Sequence, residues 1–522
     1  MDDFIAVVNN GNKRYTLPCS ADMSVLELLR SNGIGVYSPC GGNGTCGKCR
    51  AVISGAVSAA DEHEIKMLGD EYAKGVRLAC RTIILGDVTV DIDSIDGMHV
   101  ESSLKNVSYG RSPLSDGRFG IAVDIGTTTV AVYLCDLSCG TVCDTRAFVN
   151  PQEAFGADVI SRIDKIMRDK TALTAERNAI ISALNGAIAE MIKENNIDKN
   201  DVRACVIGGN TVMEHIACGV DPSPIAVSPF RTPTLFDNAR FDAGKLGIDI
   251  ADDGVCLISP CFASYVGGDI ALGIVASDTD ISPDTTLFLD IGTNGEIVLS
   301  VGGRLYLCSA AAGPAFEGAG IECGCAGVDG AVCAVMYSDG VLTVTTVGNA
   351  APCGICGSGL IDATAVMLEM GVIDETGAFN DEMPDDVLKY VRDGRFYLTD
   401  NVYVSAVDVR QIQLAKAAVC AGILTLMHRC GIEEKDIARV VLAGGFGSHI
   451  NARSASAIGL IPGSLYKKAV FAGNTAGVGA VMSLCDGDAR HRLALLCDRS
   501  EYTELSTDKY FAQEYINQMA FE

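Results

Sequence analysis

Four cysteines near the N-terminus have the residue type and spacing to hold a redox metal centre. Cys40, Cys46 and Cys49 lie in S-P-C-G-G-N-G-T-C-G-K-C, residues 38–49, and Cys80 follows after a 30-residue gap. The resulting C-x5-C-x2-C…C pattern is close to the C-x4-C-x2-C…C spacing by which four thiolates hold a [2Fe–2S] cluster. Cluster sulfurs also need inward-pointing backbone N–H groups, which demands a tight loop. Gly41, Gly42, Gly44 and Gly47 supply the dihedral freedom for one. Zinc is the main competitor, but zinc ribbons favour two separated C-x2-C pairs. Unliganded core cysteines are the bland alternative.

A second chemistry starts at Asp124. The run G-I-A-V-D-I-G-T-T-T-V-A-V-Y, residues 120–133, reads as strand, tight turn, strand. The pattern returns at 287–299 as L-F-L-D-I-G-T-N-G-E-I-V-L, with Asp290 placed 166 residues after Asp124. Each copy sets a carboxylate at a strand end, then a glycine (Gly126, Gly292), then hydroxyl or amide side chains. Two such turns facing each other can cradle a polyphosphate with backbone N–H groups. Asp124 and Asp290 would organise Mg²⁺ and its waters. Thr127, Thr128, Thr129, Thr293 and Asn294 would donate to phosphate oxygens. A third motif, V-V-L-A-G-G-F-G at 440–447, places Gly444, Gly445, Phe446 and Gly447 where a backbone without Cβ atoms could approach an adenosine.

The elements that must carry these residues are also legible. Residues 3–9 and 13–18 read as a hairpin around Asn9-Asn10-Gly11-Asn12. Ser24 and Glu27 form a capping box that opens a helix, with Gly33 as its C-cap. An alternating run covers 48–54, and 82–92 reads as closing strands. Residues 98–118 are polar and glycine-bearing, as a linker would be. The expected organisation is therefore a cluster domain over 1–97, a linker over 98–118 and a nucleotide-binding part over 119–522, with lobes at about 119–285 and 286–522.

Composition narrows the function classes. The chain has 522 residues, 48% of them hydrophobic, and a formal net charge of −26, of which residues 1–97 carry only −4. Such acidity disfavours nucleic acid as a partner, because phosphate binding needs basic surface. No run of 18 apolar residues predicts a membrane span. Twenty-two cysteines behind an N-terminus without a basic export signal fit a reducing cytosol.

The D-I-G-T repeat with the third glycine motif resembles the actin, hexokinase and seventy-kilodalton chaperone superfamily. Its phosphate-1, phosphate-2 and adenosine motifs correspond to residues 123–132, 288–298 and 440–448, in the expected order. G-G-N-T-V-M from Gly208 and A-G-N-T-A-G from Ala472 lie where that superfamily places its two connecting helices. The fold implied is α/β: an N-terminal β-grasp ferredoxin-like domain, then a two-lobed actin-like ATPase with ribonuclease-H-like halves. The whole chain is similar to the ATP-dependent reductive activators of corrinoid proteins. G-P-A-F-E-G-A-G-I (313–321), C-G-S-G-L-I-D (356–362) and T-E-L-S-T-D (503–508) share that likeness. Longer members of the group carry an extra middle domain, for which about 20 linker residues leave no room.

The resemblance implies an enzyme that returns a methyltransferase cobalamin from Co(II) to Co(I). It would pass one electron through the cluster while hydrolysing ATP. A cluster near −400 mV would fall short of the cobalt couple by roughly 100–200 mV, about 2–5 kcal/mol for one electron. ATP-driven closure would cover the gap by favouring one state of the complex. Cys40, Cys46, Cys49 and Cys80 would hold the cluster, Asp124 and Asp290 would handle metal and water, and Glu317 would be a catalytic or magnesium-linked carboxylate. The implied partners are a corrinoid protein and an upstream low-potential donor, with a homodimer formed through the ATPase part.

Three other functions share some of these motifs: an ATP-driven donor to a different low-potential metalloenzyme, a small-molecule kinase with a regulatory cluster, and a redox-sensing module with structural nucleotide. Weaker signals each have a plain reading. Cys323, Cys325, Cys353 and Cys356 could be a second metal or redox group, or small buried hydrophobes. Gly357, Ser358 and Gly359 could line the nucleotide cleft or simply start a helix. His215 reads as a packing histidine, and Glu190, Lys193 and Glu194 as a solvated helix face.

Overall fold

The computed structural model describes residues 4–10, 13–32, 34, 36, 44, 47, 49–92, 112–237, 239–338, 340–444 and 450–521. The chain divides into two compact units, one of residues 1–98 with 149–179, the other of 99–148 with 180–522.

The first unit contains a five-stranded sheet. Its strands are β1 (Phe4–Asn10), β2 (Lys13–Cys19), β3 (Arg50–Val57), β4 (Val76–Leu78) and β5 (Ile84–Ile92), in the order β2-β1-β5-β3-β4. β1 and β5 pair in parallel and the other neighbours are antiparallel, which is the β-grasp arrangement. Helix Val25–Ser31 starts at the expected capping box: Glu27 N–H donates to Ser24 Oγ at 3.1 Å and Ser24 N–H to Glu27 Oε2 at 2.8 Å. Its Val25, Leu26, Leu28 and Leu29 are buried against Ala6, Val8, Ile84, Val88 and Val90. Sequence reading left out β4 and helix Glu62–Leu68, both too short for a periodic signal. The turn at Gly11-Asn12 and the C-cap glycine Gly33 lie outside the described residues.

A buried ion pair fixes β4. Arg77 Nε and Nη2 donate to Glu64 Oε1 and Oε2 at 2.9 and 3.0 Å, and Leu78 N–H donates to Oε1 at 2.8 Å. Removing one partner of such a pair strands a buried charge and costs about 3–5 kcal/mol. Glu64→Ala should therefore lower the unfolding free energy of this unit by about that amount, shift its urea midpoint down, and release Cys80 with it, as followed by near-ultraviolet dichroism.

The second unit holds two six-stranded sheets built alike. The first contains β6 (Phe119–Ile125), β7 (Thr129–Asp136), β8 (Thr141–Val149), β9 (Val202–Gly209), β10 (Arg240–Asp242) and β11 (Val255–Ile258), ordered β10-β11-β9-β6-β7-β8. The second contains β12 (Thr286–Ile291), β13 (Gly295–Val301), β14 (Arg304–Ala310), β21 (Arg439–Ala443), β22 (Ala469–Gly473) and β23 (Ser500–Tyr502), ordered β22-β21-β12-β13-β14-β23. Short strands β15 to β20, between Ala331 and Ser405, form two small three-stranded sheets. In each large sheet an antiparallel hairpin (β6-β7, β12-β13) with a third strand beside it (β8, β14) is extended on the side of its first strand by two parallel strands (β9 and β11, β21 and β22).

The apolar runs follow from burial on both faces. Leu287, Leu289 and Ile291 of β12 pack with Ile412, Val419, Ile423 and Leu426 of helix Ala406–Cys430. Phe288, pointing the other way, joins Leu272 and Ile274 of helix Gly268–Ala276 and Ala480 and Leu484 of helix Thr475–Cys485. That same cluster takes in Ala122 and Val206 of the first sheet, so this helix pair packs with both sheets. Helix Ala406–Cys430 is long and apolar enough to cross a membrane by composition, but 78% of its apolar window is buried inside the protein. It is a core helix.

Candidate functional site

The two D-I-G-T motifs form hairpins in register. Asp124 sits opposite Ala131 in the β6–β7 pair and beside Gly208 of β9. Asp290 sits opposite Glu296 in the β12–β13 pair and beside Ala443 of β21. Both turns are closed by a glycine amide: Gly126 N–H donates to Thr129 O at 3.0 Å and Gly292 N–H to Asn294 O at 2.8 Å. Thr127 and Thr128 occupy the first turn, with Thr129 opening β7, and Thr293 and Asn294 occupy the second.

These turns gather carboxylates. Burial, and then the Asp269 charge, pushes Asp124 up to about 7 against a hydrogen bond from Asn474. Burial, then Asp269 and Asp124, pushes Asp290 up to about 7. Asp269 itself is raised to about 6 by burial, against two backbone hydrogen bonds. Glu296 is raised by burial and by Asp269 and Asp290. Glu317 is raised by burial while Thr293 opposes the shift, its Oγ1 donating to Oε2 at 2.7 Å. Half-buried carboxylates that raise one another favour a hard divalent cation, which removes the repulsion and ligates through oxygen. Gly444 supplies the matching space: a Cβ there would come within 2.3 Å of Asp290 Oδ1. The donor set and this clearance fit a magnesium polyphosphate. Gly445, Phe446 and Gly447 lie outside the described residues.

Three members of this group stand outside the residues expected to form the site. Asp269 follows a glycine pair at the start of helix Gly268–Ala276, and a Cβ on Gly267 would touch Gly209 O and Thr211 N at 2.5 Å. The close approach of two G-G turns is the signal that could have found it. Asn474 donates to Asp124 Oδ2 at 3.1 Å and to the Tyr133 hydroxyl at 3.3 Å, and its Oδ1 caps Gly477 N–H at 2.8 Å. Glu296 was hidden because strand alternation alone explains it. Gly357 starts helix Gly357–Glu369, and Ser358 and Gly359 pack it onto strand Ala331–Ser338: Ser358 Oγ donates to Cys333 O at 2.8 Å, and a Cβ on Gly359 would lie 2.1 Å from Val332 O. His215 is fully buried with its ring against Phe236, a packing histidine.

Cys49 and Cys80 flank the other site, and Cys40 and Cys46 lie outside the described residues. Cys49 precedes β3, Cys80 follows β4, and Ala79 N–H donates to Cys49 O at 2.8 Å. Each of these cysteines is followed by an arginine that reaches back to the glycine loop. Arg50 Nε donates to Gly47 O at 3.0 Å and Arg81 Nη1 to Gly44 O at 3.3 Å. Carboxylates hold both arginines, Glu71 on Arg50 at 2.6 Å and Asp61 on Arg81 at 2.6 Å. Gly44 and Gly47 have φ of +72° and +65°, the left-handed region that glycine tolerates. Two thiols joined across a ladder and a glycine loop tied by its carbonyls fit a four-thiolate cluster. Arg81→Ala should free the loop and shorten cluster lifetime in air at least about threefold, seen as faster bleaching of the visible absorbance; an unchanged rate would remove Arg81 from this role.

Cys323, Cys325, Cys353 and Cys356 form no such centre. Among the described residues, no three His, Cys, Asp or Glu side chains gather to hold a metal ion.

Comparison with known proteins agrees with this geometry. A model described as a 2Fe-2S iron-sulfur cluster binding domain matches residues 8–85. The RACo middle region matches 119–282, and the C-terminal domain of RACo, the ASKHA domain, matches 284–522. The stretch expected as a first ATPase lobe, about 119–285, is the one the family model calls its middle region. The corrinoid activation enzyme RamQ of Eubacterium limosum is 32% identical over 419 residues, covering 77% of this chain and 70% of that one. A reductase of the Co(II) methylated amine-specific corrinoid protein from Methanosarcina barkeri is 25% identical over 387 residues, covering 68% of each. A solved structure titled reductive activator for corrinoid, iron-sulfur protein superposes with a TM-score of 0.69 at 30% identity, covering 99% of this chain and 98% of that one. The chain belongs to the RACo family, in which a [2Fe–2S] ferredoxin domain precedes an ASKHA ATPase domain.

Proposed function

We propose that this protein uses ATP to reduce a corrinoid protein's cobalt from inactive Co(II) to Co(I), one electron at a time. The observation that carries the reading is the joining, in one chain, of a cluster-type cysteine loop to two D-I-G-T hairpins whose aspartates share a carboxylate group. When bound, a [2Fe–2S] cluster would make the chain a low-potential one-electron carrier. Cys40, Cys46, Cys49 and Cys80 would hold it.

Asp124 and Asp290 would position magnesium and the attacking water, with Asp269 and Glu296 behind them. Glu317, oriented by Thr293, would orient or deprotonate that water. Thr127, Thr128, Thr129 and Asn294 would donate to phosphate oxygens, and Gly444 to Gly447 would seat the adenosine. Asn474 joins Asp124 to the N-terminus of helix Thr475–Cys485. That helix packs on helix Gly268–Ala276, where a Cβ on Gly479 would lie 2.2 Å from Leu272 O. A change at the phosphate turns would thereby move a helix pair that touches both large sheets. Binding energy that favours one arrangement of these layers would favour one state of the activator–corrinoid complex.

We also place the domain boundaries at 1–97, 98–118 and 119–522, with an upstream low-potential electron donor, a homodimer through the ATPase part, and a reducing cytosol as the compartment. The deciding experiment is anaerobic. The reduced protein is mixed with a Co(II) corrinoid methyltransferase subunit, and Co(I) absorbance is followed with and without Mg-ATP. Co(I) that forms only with ATP supports the reading. A reducible cluster and intact ATP hydrolysis without Co(I) would move the assignment to a different acceptor enzyme.

A further inference from the structure

Among the described residues, thiols pair as Cys135 with Cys485, Cys205 with Cys256 and Cys325 with Cys353. The first two pairs are sealed. Cys205 and Cys256 are register partners on β9 and β11 and fully buried, and Cys135 and Cys485 are 0% and 2% exposed. Buried thiols of this kind are inert to solution oxidants. The third pair is different: Cys353 is exposed and Cys325 half-buried.

The backbone holds the third pair together. Ile355 N–H donates to Cys323 O and Cys325 N–H to Ile355 O, both at 2.9 Å, a parallel bridge. Cys325 Sγ would lie 2.7 Å from a Cβ on Gly354, the neighbour of Cys353. Cys353 Sγ contacts Asp329 O at 3.5 Å. Burial raises the Cys353 thiol and the Cys325 hydrogen bond opposes it. Among the described residues no third ligand gathers with it, so the pair's chemistry is that of a dithiol rather than a metal centre.

The Cys325 backbone also supports the turn that carries Glu317. Gly318, with φ of +81°, approaches so closely that a Cβ would lie 2.7 Å from both Cys325 N and O. A Cβ on Gly324 would lie 2.2 Å from Gly318 O. A covalent tie at Cys325 would therefore stiffen the Glu317 turn against the 351–354 segment.

We propose that Cys325 and Cys353 are a reversible disulfide-forming site that adjusts the nucleotide site through the Glu317 turn. Each thiol gives up its proton, an Sγ–Sγ bond forms, and two electrons pass to an external low-molecular-weight disulfide, which is split into two thiols. The coupling to nucleotide rests on reading Asp124, Asp290 and Glu317 as the ATP site, whereas the disulfide does not.

The test treats the full-length, cluster-loaded protein with glutathione disulfide under argon. Cysteine pairing is mapped by non-reducing peptide mass spectrometry, and Mg-ATP affinity is measured before and after. Expected are a 325–353 disulfide, the Cys135/Cys485 and Cys205/Cys256 pairs still reduced, and at least a threefold change in Mg-ATP affinity that a dithiol reverses. Cys353→Ser should keep the reduced affinity and lose the response. Full modification of exposed Cys139 and Cys143 without a 325–353 disulfide overturns the proposal, as does a disulfide that leaves affinity unchanged. A reduced wild-type chain that binds no Mg-ATP would sink the ATPase reading and the coupling with it, while the peptide map still decides the disulfide.

Discussion

Asp290→Asn is expected to abolish ATP-driven Co(I) formation while the visible spectrum of the cluster stays unchanged. Asp290 lies one residue before the end of β12, next to the space that Gly444 keeps open, and shares its surroundings with Asp124, Asp269 and Glu296. An amide there keeps the shape and loses the negative charge that would hold a divalent cation. Metal stabilisation of a phosphoryl transition state is worth several kcal/mol, and each 1.36 kcal/mol is tenfold. The ATPase rate should fall at least about a hundredfold. The substitution should not unfold the protein, because it removes a repelled charge rather than a paired one. Phosphate release and Co(I) absorbance, read on the same sample, check both parts. An Asp290→Asn protein with wild-type phosphate release would remove Asp290 from the metal and water role.

The second large effect is a pH dependence opposite to the usual acid lability. In the unfolded chain the carboxyls of Asp124, Asp269 and Asp290 ionise near pH 4. In the fold they do so at about 7, 6 and 7. Between those values the folded chain binds more protons, so its stability falls as pH rises from about 4 through about 7. Each fully shifted group contributes at most about 1.4 kcal/mol per pH unit. Carboxylates held low by partners, such as Asp61 and Asp169, add stability that is lost only below pH 4, outside this window. Nucleotide-free protein should thus melt higher at pH 5.5 than at pH 7.5. Mg²⁺ binds the ionised forms, so its stabilising effect should grow toward pH 8. Calorimetric melting from pH 5.5 to 8, with and without Mg²⁺, reads both slopes. Asp269→Asn should flatten the metal-free slope, since Asp269 is the charge common to the other shifts. A slope that Asp269→Asn leaves intact would point instead to general repulsion in a chain of net charge −26.

Local chemistry made much of this legible before any coordinates. Cysteine spacing needs no fold to be read, because four thiolates around two irons restrict the loop between them. The D-I-G-T hairpins announce themselves because strand, glycine turn and strand are consecutive, and the repeat exposes two similar halves. The capping box at Ser24 and the buried runs of β6 and β12 are likewise short-range signals. The roles of Asp269 and Asn474 were not legible, since they come from neighbours distant in sequence, and Glu296 was hidden by plain strand alternation. Asn474 lies 350 residues from the Asp124 it bonds. Arg50 and Arg81 look like ordinary surface charges until their donation to Gly47 and Gly44 is seen.

The sequence by itself determined the chemistry on offer: thiolates for a cluster, and paired carboxylates and glycine turns for a nucleotide. Only the tertiary structure decided which groups share a field. A pKa shift, a close backbone approach or a thiol pair depends on distances across the fold, which one-dimensional spacing does not contain. It assigned Gly359 to helix packing, gave Asn474 to Asp124, and set Cys325 beside Cys353 and against the Glu317 turn. The physical reason is that desolvation and Coulomb coupling act through space, so they are decided by which strand ends and helix starts the packed layers bring together.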